Sequence, residues 1–493
     1  MRKIKIIALV IAISCGSLFA VSTNFTTIGN VKPALANPSV PDNIYLPIIF
    51  KGGNIQPQQF GVELTGINLH QMDMADGVNT YWLRHAAISW EEIEPESPNP
   101  DPAYNWSSVN EWALQEASAR GIQVIATVQY TPYWAQKYSG YSCGPVETDS
   151  LDEFAQFMVA LVERYSIYPY NVKHWEIGNE PDVDPYAVGW SPGKHIFGCW
   201  GDSDDPYYGG RYYGKMLKAI YQPMKDVDPD AMIHIGGLLL GCDPTDPYPA
   251  GENCKPGNFL EGILLGPDDD TEYIPGNNFD IVSFHGYAPY IGSLVWDETW
   301  FTWDQRGGVV LGKADFLREV MGDYGVDKPL LHSEAALLCP PTDKDNCYPP
   351  REDFYEAQAD YVVWVHVRNI SAGILGTSWY TLNNQGWFNS SLLDRSQNPR
   401  PSYYSFQFMA EELHNADYIQ RIWLYYDQYP FLRVYEFNKS GKRIWVMWAS
   451  DEQPSFISLP SETTKVLNKY GEDITPLDGH ITVKSPIYVE LTP

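Results

Sequence analysis

Residues 172–182 read VKHWEIGNEPD, an apolar run that ends in two polar side chains, Asn179 and Glu180, followed at once by Pro181. The run has the length and the aliphatic and aromatic content of a buried strand, and the proline stops it. Upstream, the segment from Ser150 to Ser166 carries apolar residues at helical spacing. The stretch therefore predicts a helix followed by a strand whose carboxyl end carries polar groups.

The same alternation of strands and helices extends from residue 60 to residue 412. Eight segments rich in aliphatic residues are strand candidates: Gly61–Gly66, Asn79–Ala86, Gln123–Gln129, Val172–Ile177, Met232–Leu240, Phe279–Phe284, Pro329–Ser333 and Ile374–Tyr380. The predicted helices include Trp106 to Arg120, Ser150 to Ser166, Tyr212 to Val227 and Glu352 to Val367. Ser150 and Glu153 have the spacing of a capping box. Because no Gly-x-Gly-x-x-Gly follows an early strand, the pattern favours an α/β fold of the (β/α)8 TIM-barrel type over a dinucleotide-binding sheet.

From residue 415 to residue 493 the pattern changes to short strands separated by turn residues. The candidates are Trp423–Tyr426, Phe431–Phe437, Arg443–Ala449, Phe456–Leu459, Lys465–Leu467, Ile481–Val483 and Ile487–Leu491. Such spacing is typical of a small antiparallel β domain with sandwich-like character, which we expect to pack on the barrel.

Residues 1–36 read as a signal peptide, in which a basic start precedes the apolar run Ile6 to Ala20. That run is too short for a membrane span. Cleavage is predicted after Ala20 or after Ala36; lipid attachment at Cys15 is a less favoured alternative. Residues 37–59, rich in proline and glycine, read as a linker. We therefore expect a secreted protein with no membrane span in its mature chain.

The chain has 493 residues, 44% of them hydrophobic, which suffices to bury a large core. It carries 33 Lys and Arg against 62 Asp and Glu, a formal net charge of −29. Because binding to phosphates needs clustered Lys and Arg, we expect no nucleic-acid partner. The 17 Trp and 34 Tyr residues suit a protein that stacks on flat ligands.

Six cysteines follow the predicted signal peptide: Cys143, Cys199, Cys242, Cys254, Cys339 and Cys347. An even count in an exported chain favours disulfides, for which about fifteen connectivities are possible. Neighbours within one loop are the easiest to join, which predicts Cys242 with Cys254 and Cys339 with Cys347, and leaves Cys143 for Cys199. No C-x2-C pair and no H-E-x-x-H motif occurs, so the sequence predicts neither a metal site nor a cofactor.

Two of the predicted strands end in a glutamate. Glu180 follows strand four, and Glu334 closes the run LLHSE at residues 330–334 on strand seven. Barrel enzymes carry their chemistry at the carboxyl ends of the strands. Two carboxyl groups facing each other there are what hydrolysis of an acetal needs, one to protonate the leaving oxygen and one to attack or stabilise the anomeric centre.

The arrangement resembles clan A glycoside hydrolases, the retaining (β/α)8 glycosidases, and is most similar to their β-xylosidase-like members. Asn179-Glu180-Pro181 matches the clan's motif on strand four, which implies that Glu180 is the acid/base and that Asn179 binds the sugar 2-hydroxyl. Glu334 matches the nucleophile. A histidine that several of these families carry at the end of strand three is absent from residues 128–134, VQYTPYW, which departs from the cellulase-type pattern.

The resemblance also implies roles for three further residues. Tyr287, in His285-Gly-Tyr287, would hydrogen-bond the nucleophile, and Arg84 on strand two would keep it ionised. Trp379 would form the floor of the glycone subsite. Independently of the resemblance, Trp134 just past strand three is the candidate platform for a sugar ring. For Arg84, His285 and Trp379 a purely structural role stays open.

The prediction from sequence is therefore a secreted retaining glycosidase acting on plant-type or microbial oligo- or polysaccharides, with two glutamates in a double displacement. The alternative is a non-catalytic carbohydrate-binding or cell-surface protein on a decayed barrel. A metal-dependent barrel hydrolase would need a histidine cluster that the sequence does not offer. The sugar, the linkage, exo or endo action and the oligomeric state are not predicted.

Overall fold

The computed structural model describes residues 60–492 except 187–188, 190–191, 193–194, 196, 245–253, 296, 298–302, 342–343, 345–346, 384–385 and 424–427. The predicted signal peptide, residues 1–36, and the predicted linker, residues 37–59, lie outside the described residues, as does Cys15.

Eight parallel strands form a closed barrel in which each strand pairs with the next along the chain and the last pairs with the first. This confirms the predicted (β/α)8 architecture. The strands are β1 (Phe60–Glu63), β2 (Trp82–Ser89), β3 (Gln123–Gln129), β4 (His174–Asn179), β5 (Met232–Leu238), β6 (Ile281–Pro289), β7 (Leu330–Leu338) and β8 (Thr377–Trp379). Each overlaps one of the eight predicted segments.

Helices surround the barrel and connect its strands. They are α1 (Leu69–Asp76), α2 (Trp90–Ile93), α3 (Glu111–Ala119), α4 (Leu151–Tyr165), α5 (Gly210–Val227), α6 (Phe259–Leu265), α7 (Leu311–Asp323), α8 (Glu352–Ser371) and α9 (Pro401–Leu413). Two predicted details are wrong. The helix expected from Trp106 is a 3-10 turn, and α3 begins only at Glu111, because the Asn110 side chain caps it by accepting from the Ala113 N–H.

The second wrong detail is the capping box at the start of α4. Ser150 ends a 3-10 turn, and its side chain makes no capping hydrogen bond. The Leu151 N–H instead bonds to the carbonyl of Thr148. The preceding turn thus satisfies the backbone N–H of Leu151, and the Ser150 side chain caps none of the N–H groups of α4.

Alternation along β4 sorts its side chains between the barrel interior and the core outside it. Glu176 points inward, where it bonds Arg84 of β2, whereas Trp175 and Ile177 belong to the main apolar core. All three are buried. The strand thus delivers its next polar residues, Asn179 and Glu180, at the mouth of the barrel.

The C-terminal region forms an antiparallel sheet in the order β13-β15-β11-β10-β9. Strands β12 and β14 form a separate two-stranded antiparallel sheet. The strands are β9 (Asp417–Arg421), β10 (Leu432–Lys439), β11 (Lys442–Ala449), β12 (Ser455–Ser458), β13 (Thr463–Asn468), β14 (His480–Val483) and β15 (Ile487–Leu491). Six predicted strands are confirmed; the remaining one, Trp423–Tyr426, lies outside the described residues except for Trp423.

The β domain is fastened to the barrel through α8. The ring of Trp448 on β11 stacks on that of Trp364, with centroids 5.7 Å apart and 20° between the planes. Lys469 donates to Asp360 over 2.6 Å and to the Glu356 carbonyl over 3.1 Å. The contact therefore combines a buried aromatic stack with charged hydrogen bonds.

Three disulfides join the pairs predicted from loop neighbourhood: Cys143–Cys199, Cys242–Cys254 and Cys339–Cys347. Each joins segments that follow the barrel strands, on the face where the strands end. Disulfides of this kind indicate an oxidising compartment rather than the cytoplasm. None of the described helices has the length and apolar character to cross a membrane.

Candidate active site

Glu180 stands at the end of β4 in an unusual backbone conformation. Its φ is 50°, in the left-handed region that non-glycine residues seldom adopt. Its N–H donates to the carbonyl of Gly237 on β5 over 3.0 Å, which holds the turn in place. The side chain is 4% exposed. Strand four thus ends in a turn that directs a buried carboxyl group into the mouth of the barrel. A strained backbone conformation of this kind is often found at functional residues.

Glu334 lies on β7 beside His285, its ladder partner on β6. It is 5% exposed, and its two carboxyl oxygens accept from different groups, Oε1 from Arg84 and Oε2 from the Tyr287 hydroxyl. The contact with Tyr287 is the one that the sequence predicted. Two donors therefore orient the Glu334 carboxyl group.

His285 connects the two carboxyl groups. Its Nδ1 lies 2.8 Å from Oε1 of Glu180, and its Nε2 lies 3.5 Å from Oε1 of Glu334. Burial, and then the positive charge of Arg84, lower its pKa well below the usual value, so the ring is neutral. Gly237 makes room for it, because a Cβ there would collide with Nε2. His285 is thus part of the site rather than an isolated core histidine.

Arg84 donates hydrogen bonds to several residues beneath Glu180 and Glu334. Its Nε and Nη2 donate to Oε1 of Glu176 over 2.8 and 2.6 Å, and Nη2 also donates to Oδ1 of Asn179 over 2.7 Å. Its Nη1 donates to Oε2 of Glu63 over 2.7 Å and to Glu334. Arg84 is 1% exposed. One guanidinium group therefore fixes the positions of residues from strands one, four and seven.

The electrostatics favour a protonated Glu180. Burial raises its pKa to about 8, with a further contribution from Asp182, while Arg84 and Lys313 oppose the shift. Lys313 is itself buried and its pKa falls to about 8, since desolvation outweighs the attraction of the two acids. At neutral pH Glu180 thus has the protonation state of a general acid.

For Glu334 the structure corrects the expectation that Arg84 keeps it ionised. Burial, and then the carboxyl group of Glu63, raise the pKa of Glu334 well above its usual value, and the lowering effect of Arg84 does not offset them. The reason is that Arg84 is shared, since Glu63 and Glu176 bind the same guanidinium. Glu63 was not foreseen as a member of the site.

Trp379 does not occupy the predicted subsite floor. It is fully buried, its Nε1 donates to the Ser390 carbonyl over 2.8 Å, and its ring lies 6.2 Å from that of Tyr361 on α8. The alternation along β8 explains this, because Trp379 faces the helices and the next residue, Tyr380, faces the mouth. A buried indole cannot present a face to a ligand.

The rings at the mouth are Tyr287, Tyr380 and Trp387. The Tyr287 ring lies 6.1 Å from that of Tyr380 and 5.3 Å from that of Trp387, edge to face in both cases. All three are half-buried, so each keeps an exposed part. Burial raises the pKa of Tyr380, and the Glu63 and Glu334 carboxyl groups add to this rise. Sequence reasoning missed Tyr380 because it assigned the neighbouring tryptophan.

Trp134, which the sequence predicted as a platform for a sugar ring, is held by contacts with the core. Its Nε1 donates to the carbonyl of Glu94 over 3.2 Å, and its ring packs at 79° against that of Trp90, 5.4 Å away. These contacts attach it to the α2 side of the core. The more exposed ring at this position is Tyr133, with 71% of its surface exposed.

The positions of Glu63 and Glu176 in the sequence could have predicted that they belong to the site. Glu63 ends an apolar strand just as Glu180 and Glu334 do, and Glu176 interrupts an apolar run. A charged residue within or at the end of a buried strand needs a partner. For the residues that the structure describes, no group of three or more His, Cys, Asp and Glu is arranged to hold a metal ion.

The architecture defines a class of structures, namely (β/α)8 barrels that carry a β domain after the last barrel strand. Within it, the chain is similar to a family 39 glycoside hydrolase from Bacteroides cellulosilyticus, with a TM-score of 0.63 and 16% identity over 88% of this chain and 81% of that one. A GH39 β-xylosidase from Caulobacter crescentus gives a TM-score of 0.56 and 14% identity, with 89% and 96% of the two chains covered.

A third similar structure is a GH30 endoxylanase from Clostridium papyrosolvens, with a TM-score of 0.51, 15% identity, and 88% and 96% coverage. The expected resemblance to clan A is thus confirmed at the level of the fold. No family model matches the chain, and no curated protein matches it in sequence.

Proposed function

We propose that the protein is a retaining glycoside hydrolase that cleaves O-glycosidic bonds. The observation that carries the proposal is a pair of buried glutamates bridged by His285, one directly after strand four and the other on strand seven. One of them, Glu180, is protonated at neutral pH because its pKa is raised to about 8. An acid and a second carboxyl group at one barrel mouth are the groups that glycoside hydrolysis requires.

In the first step Glu180 gives its proton to the leaving oxygen while Glu334, in its ionised form, attacks the anomeric carbon. The bond from that carbon to the leaving oxygen breaks as the covalent glycosyl-enzyme forms. Glu180, now a carboxylate, then takes a proton from water, whose oxygen displaces Glu334 and restores both groups. Arg84 and Tyr287, which donate to Glu334, orient the nucleophile and stabilise it once its proton is lost. Asn179, held by Arg84 over 2.7 Å, is the proposed ligand of the sugar 2-hydroxyl.

The proposed substrates are β-linked oligo- or polysaccharides of the xylan type. Support comes from the similar structures, which include a β-xylosidase and an endoxylanase. The half-buried rings of Tyr287, Tyr380 and Trp387 supply apolar faces of the kind that stack on sugar rings.

Secretion is part of the proposal. The basic and apolar start of the chain is typical of a signal peptide, and the three disulfides suit an oxidising environment. A polysaccharide substrate outside the cell fits both features.

The test is hydrolysis of a panel of aryl xylosides, glucosides, mannosides and arabinosides together with the corresponding polymers. The wild type should hydrolyse at least one aryl β-glycoside, and Glu334→Gln should hydrolyse none. A folded wild type that binds oligosaccharides in calorimetry but cleaves nothing on the panel would favour the non-catalytic carbohydrate-binding alternative.

A further inference from the structure

Glu63 is the last residue of β1 and the ladder partner of Arg84 on β2. It is 4% exposed, and its Oε2 accepts from Nη1 of Arg84 over 2.7 Å. The same Nη1 donates to Glu334. Two buried carboxyl groups thus accept from one nitrogen of Arg84.

The charges around Glu63 do not balance if every acid is ionised. The titratable or charged groups that interact with it come from β2, β4, β7 and the residues just after β4 and β8: Arg84, Glu176, Glu180, Glu334 and Tyr380. His285 is neutral, and Arg84 contacts three carboxyl groups at once. Buried like charges around one cation retain protons, because two carboxylates at such a distance cannot both ionise at low cost.

Glu176 has a different relation to Arg84. It binds Nε and Nη2, on the side of the guanidinium that does not face Glu334, and the Thr127 hydroxyl also donates to it over 3.1 Å. Glu176 therefore holds Arg84 in position, whereas Glu63 accepts from Nη1, the same nitrogen that donates to Glu334. The two glutamates offer a matched pair for separating these roles.

We propose that Glu63 is a positioning residue that shares one proton and one Arg84 nitrogen with Glu334, and that this sharing sets the acid limit of the pH range in which Glu334 attacks. The inference rests on the proposed function. With the proton on Glu63, its O–H donates to the Glu334 carboxylate, which can then act as nucleophile. With the proton on Glu334, attack is blocked. Burial raises the pKa of Glu63, which favours its protonated form.

The experiment measures kcat/KM of an aryl glycoside against pH for the wild type, Glu63→Leu, Glu63→Gln and Glu176→Gln. The acid limb of kcat/KM reports the free enzyme. Because a protonated Glu63 donates to the Glu334 carboxylate, loss of that donor in Glu63→Leu should raise the acid-side midpoint by about one pH unit or more, a change of about 1.4 kcal/mol in the ionisation of Glu334. Glu63→Gln keeps an N–H donor and should move the midpoint less than Glu63→Leu does. Glu176→Gln should move the midpoint less, whatever it does to the height of the profile.

A second measurement does not depend on turnover. Infrared spectra at neutral pH should show a protonated-carboxyl band in Glu180→Gln, where the shared proton remains, and a weaker band when Glu63→Gln is added. An unchanged or lowered midpoint in an active Glu63→Leu variant, or no protonated-carboxyl band in Glu180→Gln, would overturn the proposal. Absence of hydrolysis in the wild type would instead reject the proposed function, and the infrared result would still decide the proton sharing.

Discussion

The Nδ1 of His285 lies 2.8 Å from Oε1 of Glu180, and both side chains are buried at the mouth of the barrel. The imidazole is neutral, so it adds no positive charge that would draw the proton off Glu180. Burial therefore dominates and raises the pKa of the acid to about 8. This arrangement keeps a carboxyl group protonated at the pH where a glycosidase would use it.

The two glutamates should respond differently to substitution. Glu334→Gln should abolish turnover of every substrate, because no nucleophile remains. Glu180→Gln should slow phenyl glycosides by about 10²- to 10⁴-fold but largely spare dinitrophenyl glycosides, whose leaving groups need no proton. Steady-state rates on both substrates measure the difference. An equal loss on the two would contradict the assignment of Glu180 as the acid.

The stability of the protein should depend on the titration of Glu180. Its pKa is about 8 in the folded protein and near 4.5 otherwise, so the folded state holds a proton that the unfolded chain releases. The free energy of unfolding from this group therefore falls as the pH rises from about 4.5 to 8. Glu180→Gln should raise Tm relative to wild type more at pH 8 than at pH 5. Glu96→Gln, the same change at an exposed position, is the control.

The same titration predicts the basic limb of the activity profile. kcat/KM should decline above a pH of about 8 as Glu180 loses its proton. For a substrate that needs no acid, such as a dinitrophenyl glycoside, the decline should be weaker. A basic limb with the same midpoint and depth for both substrates would assign it to another group.

Hydrolysis should proceed with net retention of configuration at the anomeric carbon. Retaining enzymes hold their carboxyl groups about 5–5.5 Å apart, whereas inverting ones need about 6.5–9.5 Å to admit a water. Glutamates reaching inward from strands four and seven of an eight-stranded barrel should meet at the shorter distance. Proton NMR of the first product, before mutarotation, checks this. A product of inverted configuration would reject the double-displacement mechanism.

Trp379, the last residue of β8, and Tyr380, which follows it, offer a comparison between neighbours in sequence. Tyr380→Ala should lower kcat/KM by ~10-fold or more, equivalent to about 1.4 kcal/mol, through loss of a ring at the mouth. Trp379→Ala should instead lower the free energy of unfolding by about 3–5 kcal/mol, because that ring is fully buried. Kinetics and denaturant unfolding of both variants give the test. The reverse pattern would support Trp379 as the floor of the glycone subsite.

Much of the fold could be predicted because its signals are local. Strand β3 was predicted at its observed bounds, Gln123–Gln129, since a short aliphatic run needs only burial on both faces to read as a strand. The pairing of Cys339 with Cys347 followed from their nearness in sequence. Glu180 and Glu334 were found because each is a charge at the end of an apolar run.

The sequence by itself determined the barrel, the β domain, the disulfide pairs and the two glutamates, all through composition and spacing along the chain. Only the tertiary structure decided which side of a strand each residue faces and which charges share a partner. On β8, a shift of one residue exchanges Trp379 for Tyr380 at the mouth, because side chains alternate between faces. Glu63 joins Glu334 only because barrel closure brings strands one, two and seven around Arg84. Such contacts depend on three-dimensional proximity, which spacing along the chain does not encode.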